Sequence, residues 1–181
     1  MSSSRIGVRR NRRLIGALAL GAALVCGSAP APASAAGSSS QDRQRFVVIT
    51  HNLEQNPLDP HLGVDRDWAL KWLVDAPDVS VRLCGDTLGG LLDSKYAYGP
   101  QIVYQYMFSI AVFMIQHPET ANDPNAQQLA GVEGALKAYR SILRDKPEAK
   151  SPALEALLQT QARGALPDFV RKASTDCSAK K

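Results

Sequence analysis

Histidine and cysteine are scarce in this chain, at three apiece in 181 residues, and that scarcity narrows the chemistry open to it. The Gly-x-Gly-x-x-Gly and Walker phosphate loops, the His-Glu-x-x-His helix of zinc proteases and the Gly-x-Ser-x-Gly nucleophile turn are all missing. Their absence removes the strong arguments for an enzyme without excluding one, and no cofactor is expected. A membrane-spanning run is also lacking: Leu14–Val25, the clearest apolar stretch, has twelve residues, where a spanning helix needs ~20. Surplus charge is missing too, once position is considered. The formal charge is +4, but five arginines and no acidic residue fall within residues 1–35, leaving 16 basic against 17 acidic side chains beyond them. Whole-chain basicity is therefore no argument for nucleic acid or an anionic surface.

What is present begins with an export signal. Arg5, Arg9, Arg10, Arg12 and Arg13 form a basic lead, Leu14–Val25 is the apolar segment, and Ala33-Ser34-Ala35 supplies the small side chains a signal peptidase requires. Cleavage after Ala35 is predicted, with no stable transmembrane anchor left behind and a periplasmic or extracellular destination. The run from Arg9 to Ile15 also resembles a twin-arginine export signal, without the usual Ser or Thr before the pair. Two cysteines survive cleavage, Cys84 and Cys177, and an even count in an oxidising compartment predicts a disulfide between them. Their spacing of 93 residues is unlike the Cys-x-x-Cys of redox pairs.

Beyond the signal, residues 36–44 read as a flexible polar lead and 45–181 as a single all-α domain, a compact bundle of about six or seven helices. Proline in the first turn after a capping residue is a start signal, because its missing N–H is not needed there. Gly99-Pro100, Asp123-Pro124 and Ser151-Pro152 repeat that signal, and Pro167 begins a last segment. Upstream, Gln41–Gln55 and Asp65–Asp75 read as helices bounded by Pro57, Pro60 and Pro77. Leu129, Val132, Leu136, Tyr139 and Leu143 recur at spacings of three and four, which predicts one apolar face, and the small residues Gly131, Gly134, Ala135 and Ala138 admit a close neighbour. Ile102–Ile115 is apolar nearly all round and is predicted to be the buried centre of the bundle. Val79–Leu83 alternates as Val-Ser-Val-Arg-Leu and reads as a short strand.

Three functional readings follow. His51 and Glu54 share a helical face, and Asp59 and His61 lie close behind, which could gather a metal such as zinc or serve a small hydrolase. The plainer account of them is a polar helix end and a capped turn. Trp68 and Trp72, four residues apart, form either an aromatic platform for a partner or part of the core. Tyr104, Phe108 and Phe113 could line a pocket for an apolar small molecule, or simply pack. Cys84 as a nucleophile lacks a nearby base. The leading expectation is a non-enzymatic binding or interaction module of the cell envelope or exterior. A small metal-dependent or hydrolytic enzyme and a carrier of an apolar ligand are the alternatives.

Overall fold

The computed structural model describes residues 37–179; the predicted signal and its cut site lie outside the described residues. Within that range the chain forms six α-helices: α1 (Ser40–Gln55), α2 (Gly63–Asp75), α3 (Gly99–Gln116), α4 (Pro124–Asp145), α5 (Pro152–Ala162) and α6 (Leu166–Ala179). Short 3-10 turns cover Pro60–Leu62, Gly85–Leu88 and Leu91–Asp93. The domain is all-helical, and no strand occurs among the described residues.

The helix starts sit where the prolines place them. Pro100, Pro124 and Pro152 each occupy a first turn. Before α4, the Asp123 carboxylate accepts the N–H groups of Asn125 and Ala126 at 2.9 and 3.3 Å, a cap worth about 1 kcal/mol. Gly164, at φ 71°, supplies the left-handed residue that ends α5.

The start of α1 corrects the expected flexible lead over residues 36–44. Ser39 caps the helix by accepting the Asp42 N–H at 3.0 Å, so α1 already runs from Ser40. Ahead of it, the Ser38 hydroxyl donates to Asp78 at 2.8 Å, and the Arg43 guanidinium pairs with the same carboxylate. Burial works to raise the Asp78 pKa, but the bonds from Ser38 and Arg43 outweigh it and hold the carboxyl below its usual value. The lead is therefore tied to the segment after α2.

Helix α3 divides the apolar interior in two, as its all-round apolar sequence predicts. On one side Ile102, Tyr106 and Ile110 join Val132, Leu136, Tyr139 and Ile142 of α4, with α5 and α6 closing over them. On the other, Phe108, Ala111 and Val112 meet Phe46, Ile49 and Leu53 of α1 and Ala69 of α2. Side-chain-free surface lets α4 come close: a Cβ on Gly131 would stand 2.8 Å from Ile110 and Tyr106. Cys84 and Cys177 are joined in a disulfide with Cα atoms 5.9 Å apart, inside the ordinary bridging range. It fastens α6 to the turn at Gly85–Leu88.

Two buried tyrosines carry the polar groups of this interior. Tyr106 donates to Gln128 Oε1 and accepts the Cys84 N–H at 3.3 Å. Tyr139 donates to Glu155 at 2.6 Å and accepts the Ser151 N–H at 2.9 Å. Burial, then the bond to the Glu155 carboxylate, pushes the Tyr139 hydroxyl from its ordinary 10 up to about 12. Burial also raises Tyr106 and Tyr96. Between those values the folded state keeps a proton that the unfolded chain releases. The stability linked to Tyr139 is thus complete below pH 10 and lost as pH rises toward 12. In an alkaline titration, part of the tyrosinate absorbance is expected to lag past pH 10 and to appear together with loss of helical circular dichroism. Ionisation of all five tyrosines near pH 10 with helicity intact would contradict this.

Candidate interaction surface

The histidine and carboxylate candidates do not assemble into one site. His51 and Glu54, on α1, line an open polar groove of about 220 Å³ together with His117, Glu133 and Lys137. There Glu54 is engaged by Lys137 at 3.7 Å. Asp59 and His61 lie outside that groove on the turn at Pro60–Leu62, where the Asp59 carboxylate accepts the His61 backbone N–H at 2.8 Å. Among the described residues, no group of three or more His, Cys, Asp or Glu side chains is placed to hold a metal ion.

The aromatic candidates divide as well. Tyr104 and Phe108 stack with centroids 6.4 Å apart, but the cavity beside them has a volume of only about 10 Å³, space for a single water. Phe113 turns away from that pair, against His117 at 5.0 Å, and lines the polar groove. Trp68 and Trp72 stack at 6.3 Å and are both half-buried. Trp72 packs on Phe46 at 4.5 Å, while the Arg45 guanidinium lies 4.0 Å above Trp68 and also faces Asp65 at 3.9 Å. Stacked beneath a paired arginine, the indoles are a seam between α1 and α2 rather than a bare platform.

A largely apolar open surface lies on the other side of α2. Pro77 cannot continue that helix, and after it residues 79–84 run without helix, turn or bend. Burial alternates at the start of this segment: Val79 is in the core, Ser80 is exposed, Val81 is half-buried against both apolar clusters and Arg82 is exposed. The sequence pattern that suggested a strand is obeyed as far as Arg82, and Leu83 departs from it at 43% exposed. No neighbouring strand is present among the described residues, so the expected strand is corrected to a single unpaired segment. Between it and α2 lies an open groove of about 440 Å³, lined by Leu70, Leu73, Val74, Val79, Val81 and Met107. Val74 is 83% exposed.

Sequence reasoning passed over Leu70, Leu73, Val74 and Met107. One signal was available: Val64, Asp67, Lys71 and Val74 follow the spacing of the exposed face of α2, which sets two valines among its charged residues. A groove of this size falls in the range of ordinary binding clefts, and its chemistry is apolar contact rather than catalysis. Comparison with protein-family models, curated proteins and solved structures finds no match to this chain.

Proposed function

We propose that the protein is an exported interaction module, which works outside the cytoplasm by holding a protein partner against the groove between α2 and the segment at Val79–Leu83. The observation that carries the reading is the apolar groove of about 440 Å³ with Val74 standing 83% exposed at its edge. A contiguous apolar surface left open to solvent in a concave groove is a feature of protein interaction sites. The basic and apolar lead at residues 1–35, the following Ala-Ser-Ala and the Cys84–Cys177 disulfide support the location, since bridges of this kind persist in oxidising compartments. Interior cavities offer little to a small apolar ligand, because the one beside Phe108 is water-sized.

A photo-reactive amino acid placed at position 74 tests the reading in the native cell. The expected product is a protein adduct in the exterior fraction, on a chain whose first residue is Ala36. The same probe at Glu133, exposed on α4, is expected to give none, and the added change Leu73→Lys should erase the adduct at position 74. Equal labelling at both positions, or none at either, would reject the interaction surface. An uncleaved chain retained inside the cell would reject the location.

A further inference from the structure

Resting on that interaction-module reading, we infer that the partner is an extended polypeptide segment, with apolar residues at alternate positions and an acidic residue among them, which pairs as a β-strand with residues Val79–Leu83.

The argument starts from the main chain. In an extended segment the N–H and C=O of one residue point to the same side, and successive residues alternate. Gln128 Nε2 donates to the Arg82 carbonyl at 3.0 Å. The Cys84 N–H donates to the Tyr106 hydroxyl at 3.3 Å. Both even-numbered groups thus face the Tyr106–Gln128 pair of α3 and α4, as an extended backbone requires. Cys84, which ends the segment, has extended dihedrals (φ −118°, ψ 96°), and residues 79–83 before it form no helix, turn or bend. The odd-numbered residues Val79, Val81 and Leu83 accordingly aim their N–H and C=O groups the opposite way. None of these groups has a hydrogen-bond partner among the described residues.

Val79 is 5% exposed, whereas Val81 is half-buried and Leu83 is exposed, so the unpaired donors and acceptors of Val81 and Leu83 form the open edge of a sheet that has only one strand. Apolar helices docking in the groove would leave that row unpaired, whereas an added strand would satisfy it and lay alternate side chains along the trough beside it. The side chains agree with this. Val79 and Val81 point inward and Ser80 and Arg82 outward, while Leu83 is 43% exposed, so an added strand would share an apolar inner face with the α2 groove along Val79–Val81. Charge narrows the partner further. Asp75 is paired with Lys71 and Asp78 with Arg43, whereas Arg82 makes no ion pair among the described residues. An acidic side chain on the outer face of the partner strand would meet it.

Selection of linear peptides from a random display library on the oxidised full chain, followed by synthesis of the best binder, tests the inference. The selected peptides are expected to alternate apolar residues and to carry an aspartate or glutamate. On binding, amide exchange at Val81 and Leu83 should slow by about tenfold or more. Methylating alternate backbone nitrogens of the peptide, its side chains unchanged, should weaken binding by at least about tenfold, and Arg82→Gln should weaken binding of the acidic peptide but not of its amide analogue. Undiminished binding of the methylated peptide would overturn strand pairing while leaving the interaction surface standing. Protection of the same amides in the free protein, rising with its concentration, would assign the edge to a second copy of the chain and overturn the inference as stated. Failure to select any peptide that competes with the adduct at position 74 would overturn it too, and loss of that adduct in the native cell would remove the underlying reading.

Discussion

Replacing both Cys84 and Cys177 with alanine is expected to lower the unfolding free energy by about 4 kcal/mol. The bridge spans 93 residues, and cross-linking a loop of that length removes about 4–5 kcal/mol worth of conformational freedom from the unfolded chain. Against a typical domain stability of about 5–15 kcal/mol, such a loss brings the protein near its folding threshold. Urea unfolding of the variant and the parent checks the effect and also its origin. If the bridge acts by restraining the unfolded chain, freeing it exposes more surface on unfolding, so the midpoint falls while the slope with denaturant rises. If the bridge instead holds α6 against the Gly85–Leu88 turn in the folded state, its loss would loosen that helix and the slope would fall. Leu166, Val170 and Ala173 of α6 are all buried, and their packing outlasts the bridge, which favours the first outcome. An unchanged midpoint would contradict both.

Much of this fold is legible in the sequence because its helix boundaries are local events. Proline and a capping carboxylate act on their own turn, so the starts at Pro100, Pro124 and Pro152 are predicted within a residue or two of where they occur. The central place of α3 follows from composition alone, since a helix with no polar face has nowhere to go but inward. Cys84 and Cys177 are paired by counting. The surface is less legible, because it depends on how helices cross. Nothing near Trp68 in sequence says that Arg45, one helix earlier, will cover it. Phe113 and Phe108 look alike on paper, yet one lines a polar groove and the other is sealed against Phe46.

Val79–Leu83 is the instructive case. Its alternation is a strand pattern that the residues follow as far as Arg82: inward valines, outward Ser80 and Arg82, and main-chain groups held on one side by Tyr106 and Gln128, with Leu83 exposed at the end. A strand, however, is defined by its neighbour, and no stretch of this sequence supplies one among the described residues. Local reasoning therefore gets the conformation right and the sheet wrong. The mismatch between a strand pattern and an all-helical fold is what directs attention to a partner.

Gly134→Ala is expected to destabilise the protein by about 2 kcal/mol, although the same change in an exposed helix would stabilise it by about 1 kcal/mol. Gly134 is buried where α4 meets α3, and an added Cβ would stand 2.5 Å from the Ser109 Cβ and closer still to its Oγ. A hydroxyl can rotate away, but a Cβ is rooted in the backbone. The two helices must therefore separate, and overpacking of this kind costs about 1–3 kcal/mol. Ser109→Gly removes the obstructing atoms and should by itself cost about 1 kcal/mol, part in helix propensity and part in the lost hydrogen bond from Gln105 Nε2 to the Ser109 hydroxyl. The double variant Gly134→Ala, Ser109→Gly regains one propensity cost with the other and relieves the clash, so it is expected close to the parent, with a coupling of about 2–3 kcal/mol. Thermal or urea unfolding of the four proteins measures that coupling directly. If Gly134→Ala proves stabilising on its own, the close approach of α3 and α4 is wrong, and with it the placement of Tyr106 and Gln128. Gln128 lies on the same helix as Gly134 and donates to the Arg82 carbonyl, so the packing of α4 on α3 also bears on one of the contacts that hold the proposed binding edge.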